Sequence, residues 1–340
     1  MKLPVRPAYV GYAGTVGALH ILGVTALLSA APAHPILLGM GFLAYTLGLR
    51  HAFDIDHIAA IDTTVRKLIR QGQDSLGVGL YFSLGHSTVV CLMAVAAGLL
   101  AQWAQRALPH LQAVGGVIGT VVSGTFLITL GTINLFIWIE IYVMFRGMRG
   151  GDHDADAMER LLISRGLIAR LAGPLFRFVT RSWQIYPIGF LFGLGFDTAS
   201  EVALLALAAG AAASALPLSG VVALPLLFTA GMSLMDTTDG VFMTTAYRWA
   251  FTTPLRKVYY NLTITGLSVV AALLIGVIEL AQVLARELQL QTGLWRWLQG
   301  VDLGTLGYLL VGLFLVTWGL SYGTWKLLRI EERRETAAPS

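Results

Sequence analysis

The fold of this 340-residue chain is decided by one stretch of sequence, Arg50-His51-Ala52-Phe53-Asp54-Ile55-Asp56-His57. It places five ionisable side chains in a chain of which 56% is hydrophobic and only 12% is charged. A charge facing lipid costs about 3 kcal/mol or more, so ionisable groups within membrane spans usually face a polar interior. Imidazole and carboxylate groups are also the usual ligands of divalent transition metals. The stretch therefore predicts a metal site inside a membrane protein.

The surrounding composition predicts an all-α polytopic membrane protein. A spanning helix needs ~20 mostly apolar residues. Eight stretches meet this requirement: roughly 10–30, 36–58, 77–104, 113–145, 184–210, 218–247, 259–285 and 304–328. Because no connection is long enough for a soluble domain, residues 1–340 are interpreted as one transmembrane domain. The longest connection, about 146–182, is predicted to be a basic cytoplasmic loop, and the last two spans are interpreted mainly as scaffold.

The distribution of basic residues predicts the topology. With a cytoplasmic N-terminus, most basic residues fall inside, among them Arg66, Lys67 and Arg70, and only Arg106, Arg286 and Arg296 fall outside. The positive-inside rule then predicts eight transmembrane helices with both termini cytoplasmic (N-in, C-in). Topology explains the net charge of +4 without nucleic-acid binding. Arg50 is then the only basic residue predicted deep within a span.

The second span cannot present all of its polar groups to one side as a regular helix. Four of them fall within one arc of roughly 120° on an ideal helix; they are Arg50, His51, Asp54 and His57. Asp56 points away, so either the helix unwinds here or Asp56 faces another neighbour. Broken helices of this kind are common in transporters, where the freed backbone lines a cavity. The alternative is a buried charge network in which Arg50 neutralises Asp54.

Three further spans carry polar groups. The third span contains His86 and Ser87; the fifth contains Asp197, Thr198 and Glu201; the sixth contains Asp236 and Asp239. Carboxylates three or four residues apart share a helix face. Without a partner they would share a proton or bind a cation. A divalent cation, protons or both must therefore balance them, and the histidines favour a transition metal over magnesium or calcium, which prefer oxygen ligands.

A short internal repeat is also present. Phe82-x-x-Gly85-x-Ser87 in the third span matches Phe228-x-x-Gly231-x-Ser233 in the sixth. Each follows a span with a Gly-Leu pair and an aspartate. Because the matching spans are three apart, they cross the bilayer in opposite directions. This arrangement is typical of the inverted repeats of secondary transporters, whose substrate sites lie at the repeat interface.

The signature stretches together resemble the nickel/cobalt transporters (NiCoT) of bacteria. They are residues 50–58, Phe82-Ser83-Leu84-Gly85-His86-Ser87-Thr88-Val89-Val90, residues 194–201 and residues 231–239. The resemblance implies a single-chain permease of the cytoplasmic (inner) membrane with high affinity for Ni²⁺ or Co²⁺. It also implies that His51, Asp56 and His57 are essential to metal recognition, supported by His86, Asp197, Glu201 and Asp236.

These observations predict an uptake permease for Ni²⁺ and/or Co²⁺ that works by alternating access. The predicted metal ligands are His51, Asp54, Asp56, His57 and His86. The predicted supporting or coupling residues are Arg50, Ser87, Asp197, Thr198, Glu201, Asp236 and Asp239. Protons are a candidate coupling ion, and no cofactor or nucleic acid is expected. The chain has no phosphate-binding Gly-x4-Gly-Lys-Ser/Thr motif for ATP and no His-Glu-x-x-His motif for a metalloenzyme. Export through the same site is the open alternative, and the sequence does not rank nickel against cobalt.

Overall fold

The computed structural model describes residues 7–99, 101–148, 179–195, 199–214, 216–250 and 254–301, and positions 307, 308, 312, 313 and 316. The described residues form helices joined by short turns and contain no strand. This confirms the all-α prediction over these ranges. Most of the predicted loop at 146–182 and of the predicted span at 304–328 lies outside them.

Ten α-helices account for most of the described residues. They are α1 (Pro7–Ala30), α2 (Ile36–His51), α3 (Ile55–Arg70), α4 (Val78–Leu99), α5 (Ala101–Met148), α6 (Tyr186–Phe192), α7 (Ala199–Ala213), α8 (Leu218–Ala250), α9 (Pro254–Glu287) and α10 (Leu294–Gln299). Two short 3₁₀ turns, Ser182–Ile185 and Gly193–Gly195, flank α6.

The helices are those of a multi-pass membrane protein. Among the described residues, five helices are long and apolar enough to cross a bilayer: α1, α4, α5, α8 and α9. The bent pair formed by α2 and α3 passes the same test when taken together. Side chains such as Ile21 and Phe42, which are 67% and 70% exposed, are suited to contact with lipid. Five or six of the eight predicted spans are therefore present in the described part of the chain.

The second predicted span is broken. This is the first of the two alternatives offered by the sequence, in which the helix unwinds instead of turning Asp56 toward another neighbour. Helix α2 ends at His51 and α3 begins at Ile55, with a bend of 52° between them. Asp54 is extended (φ −64°, ψ 138°), and its carbonyl accepts a hydrogen bond from the Ile58 backbone at 3.3 Å. The break places Asp56 in the first turn of α3, where a carboxylate is favoured by the helix dipole.

Arg66 and Lys67, which the distribution of basic residues assigns to the cytoplasmic side, lie on α3, which continues well past residue 58 and packs against α8 and α9. Arg66 is fully buried. Its Nη2 donates to Asp62 Oδ2 at 2.7 Å and to Tyr247 Oη at 2.6 Å, and also contacts Ser268 Oγ. Arg50 is therefore not the only deep basic residue. Arg66 and Asp62, both on α3, form an ion pair in which each side chain neutralises the charge of the other.

Glycines allow two pairs of helices to touch backbone to backbone. In each contact, a Cβ atom on the glycine would overlap a carbonyl oxygen of the facing helix, so no larger residue fits without movement. The contacts are Gly48 with Phe228 and Gly231 with Tyr45 between α2 and α8, and Gly189 with Phe82 and Gly85 with Tyr186 between α6 and α4. Each interface therefore sets a Tyr-x-x-Gly segment against a Phe-x-x-Gly segment, and the two interfaces have the same construction.

In a third interface, too, each of the two helices places a glycine against the other helix. Helices α5 and α9 pack along each other, with Gly124 against Leu280 and Gly276 against Ile128. The glycine of each helix thus faces the large aliphatic residue that lies four positions after the glycine of the other. The first two interfaces involve α2, α4 and α8, which with α3 and α7 carry the polar centre described below.

Candidate metal centre

Three histidines from three helices meet at the break. His51 is the last residue of α2, His57 lies in the first turn of α3, and His86 lies on α4. Their ring centroids are 4.7 Å (His51–His57), 4.8 Å (His51–His86) and 4.7 Å (His57–His86) apart. The three side chains can each offer a nitrogen such that all three atoms lie within 4.8 Å of one another. Each histidine is at most 3% exposed, so the centre is sealed from solvent.

The orientation of His51 follows from its carboxylate neighbour. Its Nδ1 lies 2.8 Å from Asp54 Oδ2, which favours the tautomer with hydrogen on Nδ1. The Nε2 atom then carries a lone pair and faces the other rings, 2.9 Å from His86 Nε2. A carboxylate behind a histidine is the usual way to orient a metal-binding imidazole and raise its basicity.

His57 has the same arrangement with a different carboxylate. Its Nδ1 lies 3.3 Å from Asp236 Oδ2 on α8. Its Nε2 is buried and has no hydrogen-bond partner. A buried polar atom left unsatisfied is costly, at about 1–3 kcal/mol. An atom of this kind, facing other nitrogen donors, indicates a place where a ligand completes the structure.

Glu201, near the start of α7, supplies an oxygen to the centre. Its Oε1 lies 3.0 Å from His86 Nε2 and 3.9 Å from His51 Nε2. The Glu201 side chain is 2% exposed. Three imidazole nitrogens therefore converge in a closed space, and one carboxylate oxygen lies beside two of the imidazoles. This mixed set suits a borderline divalent ion such as nickel, cobalt or zinc better than the all-oxygen preference of magnesium.

Two aromatic rings form apolar walls of the centre. The Phe82 ring meets His57 edge-on at 4.9 Å between centroids, and the Phe228 ring lies 5.6 Å from His51. Neither phenylalanine is among the site residues predicted from the sequence. A signal was available, because both phenylalanines open the repeated Phe-x-x-Gly motif.

The structure places the other predicted ligands outside this convergence of atoms. Asp54 contacts the outer nitrogen of His51, as described above. Asp56 is partly exposed, and its Oδ1 accepts a hydrogen bond from the His57 backbone at 2.9 Å. Both aspartates thus lie next to the histidines that they help to orient.

The predicted supporting residues are distributed around the centre. Arg50 Nη1 donates to Ser200 Oγ at 2.6 Å and so links the end of α2 to the start of α7. The described contacts therefore give no support to the alternative in which Arg50 neutralises Asp54. Ser87 Oγ and Asp239 Oδ2 are buried atoms without a hydrogen-bond partner. Asp197 and Thr198 lie outside the described residues.

A second polar cluster was missed by the sequence analysis. Tyr247 Oη donates to Asp62 Oδ1, and the Arg66 guanidinium lies 4.9 Å from the centre of the Tyr247 ring. The spacing of Asp62 and Arg66, four apart on one helix face, was the available signal. Both residues follow the predicted second span, which ends at about residue 58, so the sequence did not place them in the bundle.

Comparisons with known proteins point to one family. The profile of the NicO family, described as high-affinity nickel-transport protein, matches residues 37–323. The nickel transporter NixA of Staphylococcus aureus is 54% identical over 328 residues, which is 96% of this chain and 97% of that protein. The high-affinity nickel-transport protein NixA of Helicobacter pylori strain 26695 is 50% identical over 315 residues, or 91% of this chain and 94% of that protein.

A third relative carries a different metal in its name. The cobalt transport protein NhlF of Rhodococcus rhodochrous is 40% identical over 316 residues, covering 90% of this chain and 88% of that protein. No solved structure matches the chain.

Proposed function

Since this chain belongs to the NicO family of high-affinity nickel-transport proteins, we propose that it is a permease that carries Ni²⁺ into the cell through the centre formed by His51, His57 and His86. One observation carries the proposal: three buried imidazoles converge, and two of their ring nitrogens, His57 Nε2 and His86 Nδ1, have no hydrogen-bond partner. The named relatives are transport proteins, so the metalloenzyme alternative has no support.

The proposed ligands are the Nε2 atoms of the three histidines and the Oε1 atom of Glu201. This revises the ligand set expected from the sequence: Glu201 is added, and Asp54 lies behind His51 as the supporting residue Asp236 lies behind His57. In that position they hold the imidazoles in the metal-binding tautomer. Asp56 fixes the first turn of α3 through its hydrogen bond with the His57 backbone. All three aspartates act on the metal through a histidine.

The spacing of one pair of donors, His51 Nε2 and His86 Nε2, is compatible with nickel. A metal bound at ~2.1 Å to two nitrogens at a right angle separates those nitrogens by about 3.0 Å. The distance between His51 Nε2 and His86 Nε2 is 2.9 Å. Right-angle geometry is typical of tetragonal Ni²⁺ sites with nitrogen and oxygen ligands. Cobalt is the second proposed substrate, supported by the name of the Rhodococcus rhodochrous relative.

We further propose that transport occurs by alternating access between two inverted repeats. The support is the matching construction of the α2–α8 and α4–α6 interfaces and the reciprocal packing of α5 and α9. In transporters with inverted repeats, one repeat moves against the other around a site near the midplane. The proposed site draws on both halves, because α2, α3 and α4 come from the first half and Glu201 comes from the second.

The proposed topology retains eight spans in the bacterial inner membrane, with both termini in the cytoplasm. Its support is the distribution of basic residues along the sequence. Protons are the proposed coupling ion, since several buried carboxylates adjoin the histidines. Binding of a divalent cation would displace protons from such groups.

The test is uptake of radioactive nickel at nanomolar concentration into cells that express the protein. We expect His57→Ala to abolish accumulation, because it removes the unsatisfied Nε2 from the centre. His20→Ala is the matched control: His20 lies on α1, bonds to Val16 O and Tyr45 Oη, and is not part of the centre. Both variants must reach the membrane in wild-type amounts, as judged by immunoblot.

The outcomes separate the alternatives. Loss of uptake in His57→Ala with near-normal uptake in His20→Ala supports the proposal, and competition by cobalt but not manganese would add cobalt as a substrate. Normal accumulation in His57→Ala would refute the proposed site. Faster loss of preloaded nickel from cells with the wild-type protein would indicate export instead of uptake.

A further inference from the structure

The break between α2 and α3 is contacted by two residues near the C-terminal end of the chain. Gly307 and Tyr308 are both helical. A Cβ atom on Gly307 would overlap the carbonyl oxygen of Phe53 and lie 3.1 Å from the backbone nitrogen of Ile55. The ring of Tyr308 stacks on the ring of Phe53, with centroids 5.1 Å apart and planes 24° from parallel. Phe53 is thus contacted through both its backbone and its side chain.

Phe53 occupies a sensitive position, because it lies between two residues of the metal centre. His51 precedes it by two residues, and Asp54 follows it directly. Only short turns connect these residues: Phe53 N donates to Arg50 O at 3.0 Å, and Asp54 N donates to His51 O at 2.9 Å. No regular helix bridges the break, so a displacement of Phe53 passes directly to the two side chains that flank it.

We propose that Gly307 and Tyr308 form a clamp on Phe53 that fixes the break, and with it the distance between His51 and His57. The clamp rests on the proposed function, because it takes the three-histidine centre as the metal site. Both are positioning residues. Neither belongs to the group of nitrogen donors, and both act through Phe53.

Glycine is required at position 307 because the atoms opposite it are backbone atoms. A flexible side chain could swing away from a new methyl group, whereas the Phe53 carbonyl moves only if the break moves. A metal site needs its ligands within ~0.5 Å of the productive geometry. A methyl group on Gly307 would overlap the Phe53 carbonyl oxygen, so it must displace either the backbone at Gly307 or the break by more than this tolerance.

Gly312 provides a matched control on the same segment of the chain. A Cβ atom at Gly312 meets nothing within 4 Å. The changes Gly307→Ala and Gly312→Ala therefore add the same methyl group and the same gain in helix propensity. Only the first of them touches the break.

The experiment measures Ni²⁺ affinity by calorimetry, and the visible absorption of bound Co²⁺, on full-length protein in detergent. We expect Gly307→Ala to raise the Ni²⁺ Kd by about tenfold, the range seen when groups that orient metal ligands are altered. Its Co²⁺ spectrum should shift because the ligand field changes. Gly312→Ala should stay within about twofold of the wild type with an unchanged spectrum. If the two variants have the same Kd and the same spectrum, the clamp is refuted.

A second pair of variants tests the aromatic half of the clamp and does not depend on the stability of Gly307→Ala. Tyr308 is 47% exposed, so its side chain can be shortened without opening the core. Tyr308→Phe keeps the stacked ring and should bind Ni²⁺ like the wild type. Tyr308→Ala removes the ring and should bind severalfold more weakly. Equal affinities for these two variants would overturn the role of the stack.

The clamp and the proposed function fail in different ways. If wild-type protein does not bind Ni²⁺, or if His57→Ala binds it normally, the proposed metal centre is wrong. If wild-type protein binds Ni²⁺ and His57→Ala does not, while Gly307→Ala and Tyr308→Ala both match the wild type, the centre stands and the clamp alone is wrong.

Discussion

At the scale of single residues, the centre divides its carboxylates between two roles. Glu201 presents an oxygen to the same space as the histidine Nε2 atoms, whereas Asp54 and Asp236 contact the opposite ring nitrogens. A carboxylate among the donors neutralises part of the charge of a divalent cation. A carboxylate behind a histidine strengthens the donor without contacting the ion. All three side chains are carboxylates, so the position of each one relative to the imidazole rings decides its role.

The role of Glu201 can be tested by removing its charge while keeping its shape. We expect Glu201→Gln to raise the Ni²⁺ Kd by at least about tenfold, because a neutral amide oxygen is a weaker ligand for a divalent cation. Glu279→Gln is the control, since Glu279 is also buried but lies on α9, outside the group of donors. Calorimetry with purified protein would measure both. A Glu201→Gln variant with wild-type affinity would remove Glu201 from the ligand set.

At the scale of helices, backbone contact at glycine sets the distances around the centre. Gly48 lies three residues before His51, and the same α2–α8 interface brings Phe228 beside the His51 ring. Close packing of helices at small residues is the usual way in which membrane helices associate. Here the contact also fixes one wall of the metal centre.

Adding one methyl group to Gly48 on α2 tests whether the centre depends on the close contact between α2 and α8. We expect Gly48→Ala to lower nickel uptake strongly and to reduce thermal stability, because its Cβ atom would overlap the Phe228 carbonyl oxygen. Gly39→Ala on the same helix meets no atom within 4 Å, and it should be neutral or slightly stabilising. Uptake assays and thermal unfolding in detergent would compare them. Similar behaviour of the two variants would contradict the proposed role of the interface.

The helix scale also shows what the sequence could and could not predict. The histidines of the centre were identified because clustered imidazoles are conspicuous among apolar residues. The conflict between Asp56 and the other polar groups correctly offered a break as one of two alternatives. The burial of Arg66 was not predicted, because basic residues beyond an apolar window normally indicate the membrane edge. Its charge is neutralised by Asp62, four residues away on the same helix, whereas its second partner, Tyr247, is distant in sequence.

The carboxylates nearest to the histidine nitrogens were also difficult to predict from the sequence. Asp54 and Asp56 are neighbours of the histidines in sequence, whereas Glu201 is 115 residues from His86 and yet 3.0 Å from it in space. Sequence proximity favoured the aspartates. The direction of each side chain is decided by the break and by the packing of α7 against α4, and neither could be deduced from spacing on a regular helix.

At the scale of the whole molecule, helices from both halves of the chain meet at one centre. The paired glycine interfaces join helices of the first half to helices of the second, and the proposed donors come from both halves. An ion bound there joins α2, α3, α4 and α7. Metal binding is therefore coupled to the stability of the whole bundle, because a ligand that binds only the folded state stabilises it.

This coupling predicts a thermal shift that depends on the centre. At a Ni²⁺ concentration of about 100 times Kd, the free energy of unfolding should rise by about 2.7 kcal/mol, with a higher Tm. We expect Mg²⁺ to give no such shift, and we expect His57→Ala to lose the Ni²⁺ response. Scanning fluorimetry in detergent would measure both. Equal shifts with Ni²⁺ for the wild type and His57→Ala would show that the ion stabilises the protein elsewhere.

The long sequence separation within the centre also has a consequence for biosynthesis. Contacts between residues far apart in the chain form late, because the intervening segment must be made and ordered first. A nascent chain that has emerged only as far as α4 carries all three histidines but lacks Glu201 and Asp236. With the proposed ligand set, the donor group and the carboxylates behind it are complete only after the insertion of α7 and α8. A ribosome-bound fragment that ends before α7 would therefore lack part of the proposed nickel site.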